Sequence, residues 1–248
     1  LLNAPPVGFP GDTDFKMVET PAPEPGDGEL LIRTIYQSLD PYMRGRMNPG
    51  LSYTAGVSLG EVMGAGTVGQ VVASRHDRFA EGDFVLSSNG WQEYAVSDGR
   101  GVRKLDPAAA PISTAVGVLG MPGMTAYAGL LEVGELKDGD NVVVSAASGA
   151  VGAVVGQIAK IKGHRVVGVA GVQKKCDYVT GELGFDACVS HRSDTLADDL
   201  QVACPDGIDL YFENVGGKGF EAVLPLLNDF ARMPVCGRIA NYNMTSLP

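Results

Sequence analysis

Eight residues, Ser145-Ala146-Ala147-Ser148-Gly149-Ala150-Val151-Gly152, follow the apolar run Asn141-Val142-Val143-Val144 and open a stretch with helical spacing. A turn of small residues between a buried strand and a helix lets backbone approach a pyrophosphate. The free N–H groups and positive dipole end of the helix then face the anion. The spacing is not the plain G-x-G-x-x-G, because Ala147 and Ser148 stand at early positions. On the pattern alone, a tight strand–helix turn without a ligand stays open. The end of the next strand narrows the choice. A site for NAD carries an acid about 20 residues on, which accepts from the ribose hydroxyls. Here Ala170-Gly171-Val172-Gln173-Lys174-Lys175 has no carboxylate and two lysines, which suits a 2′-phosphate. Lys174 reads best as part of a solvated helix start. Lys175 sits in a first turn, where a cation is unfavourable without a ligand. NADP(H) is expected over NAD(H).

A second dense segment is Ser38-Leu39-Asp40-Pro41-Tyr42-Met43-Arg44-Gly45-Arg46-Met47. It sets a carboxylate, a phenol and two guanidiniums after a strand, where loops commonly carry function. Asp40 and Arg44 read equally as an ion pair holding the loop, with Tyr42 packed beside it. His76 and His164 have no motif around them and are expected at the surface. The four cysteines, Cys176, Cys188, Cys204 and Cys236, include no close pair of the zinc-clip type. They read as scattered buried thiols in a reducing, cytoplasmic compartment rather than a disulfide framework or metal site.

Two kinds of element must position these groups. Up to about residue 110 the chain reads as short strands between turns, at 29–36, 66–72, 83–86 and 91–96. From about 112 the period changes. Helical segments are expected at 114–119 and 124–132, with Pro122-Gly123 between them. Strands at 141–147, 165–170, 187–189, 208–212 and 232–237 then alternate with helices at 151–162, 174–183, 194–203 and 218–228. Such alternation is a doubly wound parallel sheet. The fold class is α/β, with domains expected at 1–112 and 113–248.

The 248 residues are 45% hydrophobic, enough for a sizeable core. Charged residues make up 19% and the formal net charge is −10, which argues against non-specific nucleic-acid binding. No apolar run approaches the roughly 20 residues that span a bilayer, so no membrane partner is expected. The start at Leu1, without a methionine or a basic segment, shows no targeting peptide. With the loop-like Ser246-Leu247-Pro248 at the other end, the chain reads as a fragment truncated at its C-terminus.

Four segments in order resemble the zinc-independent medium-chain dehydrogenase/reductases. They are Ser38 to Met47, Leu119-Gly120-Met121-Pro122-Gly123-Met124-Thr125-Ala126-Tyr127, the turn at 145–152, and Glu213-Asn214-Val215-Gly216-Gly217. Within that family the chain is similar to the prostaglandin reductase and leukotriene dehydrogenase branch, and there to the bacterial curcumin reductases. The resemblance covers essentially the whole chain. It implies a GroES-like β-rich catalytic domain and an incomplete Rossmann NADP-binding domain. It also implies a homodimer and an NADPH-dependent reduction of the C=C bond of α,β-unsaturated ketones or aldehydes. Zinc-dependent relatives place a Cys where Ser38-Leu39-Asp40 stands, and a His-Glu where Val62 and Met63 stand. The resemblance therefore implies catalysis without metal.

Residue by residue, it places Ala150, Val151, Gly152 and Ala153 at the pyrophosphate, and Gly171 and Lys175 beside the 2′-phosphate. His191 stands where mammalian relatives have a phosphate-contacting tyrosine. Asn214 matches an asparagine near the nicotinamide half; Cys236, Gly237, Ile239 and Tyr242 match the strand and loop beneath it. When hydride reaches the β-carbon, charge develops on the carbonyl oxygen, and without metal that oxygen needs donors in place. Tyr53 and Tyr242 are the candidates, with a cofactor ribose hydroxyl beside them. A quinone reductase with a flat aromatic slot, and a non-catalytic NADPH-binding protein, are the alternatives. Tyr242 and the Ser38–Met47 segment favour the enone reductase over the quinone reductase.

Overall fold

The change of period near residue 112 corresponds to two separate sheets in the computed structural model, which describes residues 1–49 and 55–245. Contacts divide the chain into two units. One is Leu1–Gly120 with the residues from Asn243 on, and the other is Met121–Tyr242. A 3-10 turn, Ile112–Val116, packs on the strands of the first unit, so the contact boundary falls at Gly120/Met121 rather than at 112/113.

The first unit is an antiparallel sheet of β1 (Leu30–Gln37), β2 (Thr67–Ser74), β3 (Phe84–Ser87), β4 (Tyr94–Ser97) and β5 (Arg103–Leu105), in the order β4-β1-β2-β3-β5. Register shifts after Leu31 and Thr34 interrupt the β1–β2 ladder, and such bulges bend a sheet. Leu30, Ile32, Val71, Phe79 and Val85 form one core. Leu2, Met43, Met47, Met63 and Ala65 form another around the short helix α1 (Met43–Arg46). The strand expected at 91–96 forms only from Tyr94, because Trp91 turns against Phe15 with ring centroids 5.4 Å apart.

The expected Asp40–Arg44 ion pair does not form. Asp40 accepts from the Ser38 hydroxyl at 2.7 Å. The Arg44 guanidinium donates to the carbonyls of Pro6 and Gly8 and to the side chains of Asn48 and Asn243. Five donors in a rigid fork meet several acceptors better than one carboxylate would.

The second unit is a parallel sheet of β6 (Asn141–Ser145), β7 (Arg165–Ala170), β8 (Ala187–Ser190), β9 (Ile208–Phe212) and β10 (Leu227–Arg232), ordered β10-β9-β6-β7-β8. Five helices accompany it: α2 (Met121–Ala128), α3 (Gly152–Ile161), α4 (Gln173–Gly181), α5 (Leu196–Ala203) and α6 (Gly217–Val223). Val142 and Val144 belong to one core cluster and Val143 to the other. A strand covered on both faces has no polar side to show, so it reads as one apolar run.

Several elements differ from the sequence expectation. Pro122 and Gly123 lie in the first turn of α2, where a missing N–H costs nothing. The last helix stops at Val223 rather than 228, because Pro225 opens a 3-10 turn, Leu224–Leu226, and has no N–H to continue the helix. The last strand therefore comes at Leu227–Arg232 and not at 232–237. It meets β9 only at Leu227↔Ile208 and Arg232↔Leu210. Phe230 between them takes φ 63°, and Val235 forms a lone bridge to Glu213. Arg232 pairs with the buried carboxylate of Asp140, which fastens this edge to the start of β6. His164, expected at the surface, is 6% exposed. Its Nδ1 lies 3.3 Å from the Asp140 carbonyl, which gives the buried ring a partner. Of the four cysteines, Cys176 and Cys204 are buried, Cys188 is half-buried and Cys236 is exposed; all are free thiols.

Helix α3 seats unusually close to its surroundings. A Cβ on Gly152 would lie 2.4 Å from the Ala146 carbonyl oxygen, and one on Gly156 would lie 1.8 Å from Cζ of the buried Phe185. Alanine for glycine inside a helix ordinarily gains up to about 1 kcal/mol. At Gly156 it forces the Phe185 ring to move, and overpacking of this kind costs about 1–3 kcal/mol. Gly156→Ala is expected to lower the urea unfolding midpoint; a midpoint equal to or above that of the parent contradicts this packing.

Candidate functional site

From β6 the chain winds through β7 to β8 on one side, then returns to β9 and β10 on the other. Where winding reverses in an open parallel sheet, a crevice opens outside the carboxyl ends of the strands. A cleft of about 900 Å³ lies there. Ser145, Ala146, Ser148 and Gly149 from the β6–α3 turn line it. Gly171, Val172, Lys174 and Lys175 from the β7–α4 turn stand beside them. His191 and Arg192 enter after β8, Val215 to Gly219 after β9, and Ile239 with Ala240 from the closing segment.

The floor between β6 and β9 is held by a polar network. Glu213, immediately after β9, is fully buried. Its Oε1 accepts from the Ser145 hydroxyl at 2.9 Å, from the Gly216 N–H at 3.0 Å and from the Val215 N–H. Its Oε2 accepts from the Tyr211 hydroxyl at 2.5 Å. Burial first, then the Glu213 charge, pushes the Tyr211 phenol far above its ordinary range, so it remains a donor. Asn214 donates its N–H to Ser145 Oγ at 2.7 Å and its Nδ2 to the Ser145 carbonyl at 2.8 Å. Ser145 thus ties the two strand ends together. The closing segment is laid along the same turn. Cys236 N–H donates to the Glu213 carbonyl at 2.8 Å, and Ala240 N–H to the Val215 carbonyl at 2.9 Å.

The wall is cationic. None of the lining residues is acidic, whereas Lys174, Lys175, Arg192 and Lys218 are all present. Much of His191 is exposed, yet desolvation of its ring and then the charges of Arg192 and Lys175 hold the imidazole below its usual range. The ring rests against Gly171, where a Cβ would stand 3.4 Å from Cε1. Small residues below and cations at one side suit a phosphorylated ligand.

Of the residues expected at this site, Gly171, Lys175, His191 and Ile239 line the cleft together. Ala150 and Val151 complete the turn beside Gly149, and Gly152 and Ala153 begin α3 behind it. Asn214 lies at the cleft floor with its side chain spent on Ser145. Cys236 and Gly237 start the closing segment, where the half-buried Tyr242 folds back so that its hydroxyl oxygen would lie 2.9 Å from a Cβ on Gly237. Arg238 N–H donates to that oxygen at 3.4 Å. Tyr53 lies outside the described residues. Lys174, read as solvated, also lines the cleft, as do Arg192 and Lys218, which were not anticipated there; nor was the buried role of Glu213 beneath it. For Glu213 the signal was available: a carboxylate closing the apolar run Leu210-Tyr211-Phe212 must be buried with donors.

Comparison with known proteins covers both units. Residues 1–105 match the family model described as the N-terminal domain of oxidoreductase, and residues 150–248 that described as zinc-binding dehydrogenase. Among the described residues, no group of three or more His, Cys, Asp or Glu is placed to hold a metal. The chain is 53% identical over 248 residues to NADPH-dependent curcumin reductase of Escherichia coli K12, covering all of this chain and 72% of that protein. It is 42% identical over 242 residues to prostaglandin reductase 1 of Rattus norvegicus, covering 96% of this chain and 71% of that one. The solved structure of CurA in complex with NADPH from Vibrio vulnificus has a TM-score of 0.95 at 52% identity, over 100% of this chain and 73% of that one.

The lowered imidazole gives the cleft a pH signature. Without ligand, His191 is neutral at pH 7, and a phosphate beside it favours the protonated ring. Between the free and bound values, binding draws in a proton. Calorimetry of adenosine 2′,5′-bisphosphate near pH 6, in buffers of different ionisation enthalpy, is expected to show greater proton uptake by the parent than by His191→Gln. Equal uptake by the two proteins removes His191 from the phosphate.

Proposed function

Because the chain belongs to the zinc-independent medium-chain dehydrogenase/reductases, in their prostaglandin reductase branch, we propose that it reduces the C=C bond of α,β-unsaturated ketones and aldehydes with NADPH. The observation that carries this reading is the acid-free, four-cation cleft at the point where the sheet reverses its winding. A dinucleotide with a 2′-phosphate is the ligand that such a cleft suits.

Bound there, NADPH supplies the hydride. The β6–α3 turn from Gly149 to Ala153 is the proposed seat of the pyrophosphate, with Ala150, Val151 and Gly152 as its N–H donors. The N–H groups of Gly149 and Ala153 donate to the Ala146 and Gly149 carbonyls, so these two residues shape the turn. Lys175 holds the 2′-phosphate, with His191 and Arg192 beside it and Gly171 leaving room. On the nicotinamide side, Asn214, Cys236, Gly237 and Ile239 form the support. The Tyr242 phenol is the donor proposed for the carbonyl oxygen, where negative charge develops as the β-carbon is reduced. Tyr53 is proposed as a second such donor. In this reading residues 1–112 are a catalytic domain and 113–248 the nucleotide-binding domain. We further propose a cytoplasmic homodimer that needs no metal and no nucleic-acid or membrane partner. Among the described residues, no helix is long and apolar enough to cross a membrane.

Mixing the protein with NADPH and a panel of enones, enals and quinones, while following cofactor absorbance, tests the reading. Oxidation with enones and enals is expected. Oxidation with quinones alone points to a quinone reductase, and binding without oxidation to a non-catalytic member. Lys175→Ala is expected to weaken NADPH binding about 10–100-fold, the loss of one charge-assisted contact, while NADH binding changes little. Equal losses for both nucleotides displace Lys175 from the 2′-phosphate.

A further inference from the structure

Glu213 is a carboxylate at zero exposure, and among the described residues no cation forms a salt bridge with it. Taking an ion out of water in this way is costly unless donors replace the water. Four do so: the hydroxyls of Tyr211 and Ser145 and the N–H groups of Val215 and Gly216. All four are donors, as an acceptor-only, ionised carboxylate requires. Two successive N–H groups converging on one oxygen form the kind of concavity that elsewhere captures a free anion. Here the anion is built into the chain.

What it organises is the cleft. Val215, Gly216 and Ser145 all line the cleft. Gly216 takes φ 78° and ψ −162° as the residue before α6, a conformation that turns the chain out of β9 and into the helix. Without the carboxylate, its N–H and that of Val215 have no partner to fix that direction. Apolar packing alone would be served as well by leucine, so the charge needs another reason. We infer that Glu213 is a positioning residue for nucleotide binding: through the β9–α6 turn and Ser145 it sets the wall and floor against which NADPH seats. This rests on the proposed NADPH reading of the cleft, and it assigns Glu213 no contact with substrate or cofactor.

The test is NADPH affinity, followed by the fluorescence of the bound nucleotide, with circular dichroism and thermal unfolding recorded on the same samples. Glu213→Leu keeps volume and removes every acceptor. It is expected to remain folded and to bind NADPH at least about tenfold more weakly. Glu213→Gln keeps Oε1 for three donors, and its amide donates to a Tyr211 hydroxyl turned to accept. It is expected to bind within about threefold of the parent. A purely structural role predicts lowered melting with unchanged affinity in the folded Leu variant, and that result overturns the inference. So does a Gln variant as weak as the Leu variant. Should Glu213→Leu fail to fold, Tyr211→Phe carries the test: about threefold weaker binding is expected, and unchanged affinity overturns the inference. A parent protein that binds no NADPH overturns the reading of the cleft itself, and this inference with it.

Discussion

The second unit hangs on the pairing of β6 with β9. These strands run side by side through Val142↔Leu210, Val143↔Tyr211 and Val144↔Phe212, and it is between them that the winding of the sheet changes direction. Their shared register ends at Val144↔Phe212, and at the next position the link passes from backbone to side chains, as the Ser145 hydroxyl donates to Glu213 and accepts from the Asn214 N–H. Beyond that link one chain leads to α3 and the other to α6.

The electrostatics of the cleft stand out against a chain that carries 29 acidic residues and only 19 Lys and Arg. Four of those cations line one cleft without an acid among its lining residues. A low-dielectric wall concentrates their field into the opening, while the excess of carboxylates elsewhere leaves few competing places for an anion. The buried Glu213 charge does not undo this. Its lone pairs are committed to four donors within the fold, and of the four cations only Lys218 stands on the same β9–α6 segment.

Much of this was legible from residue types. The uninterrupted valines of β6, the glycine-rich turn after it and the acid-free strand end at Lys174 and Lys175 are each local statements, and the sheet follows from their order. What was not legible depended on residues far apart in the chain. Nothing near Asp40 or Arg44 says that the guanidinium will find Pro6, Gly8 and Asn243 instead of the neighbouring carboxylate. Nothing around His164 announces the Asp140 carbonyl that lets it be buried. Arg192 and Lys218 carry no motif, and they reach the cleft only because β8 and β9 end there. Pro225, by contrast, was a local signal, and it ends α6 as a helix breaker should.

The outer edge of the parallel sheet has a further consequence. β10 meets its neighbour at only two register positions, carries a left-handed Phe230 that is 98% exposed, and turns Arg232 inward to Asp140. A regular edge strand offers a row of free N–H and C=O groups, and any other strand can extend it by simple pairing. This edge offers no such continuous row. Pairing along its whole length would require Phe230 to leave its left-handed conformation, so the irregularity itself opposes indiscriminate strand-on-strand extension.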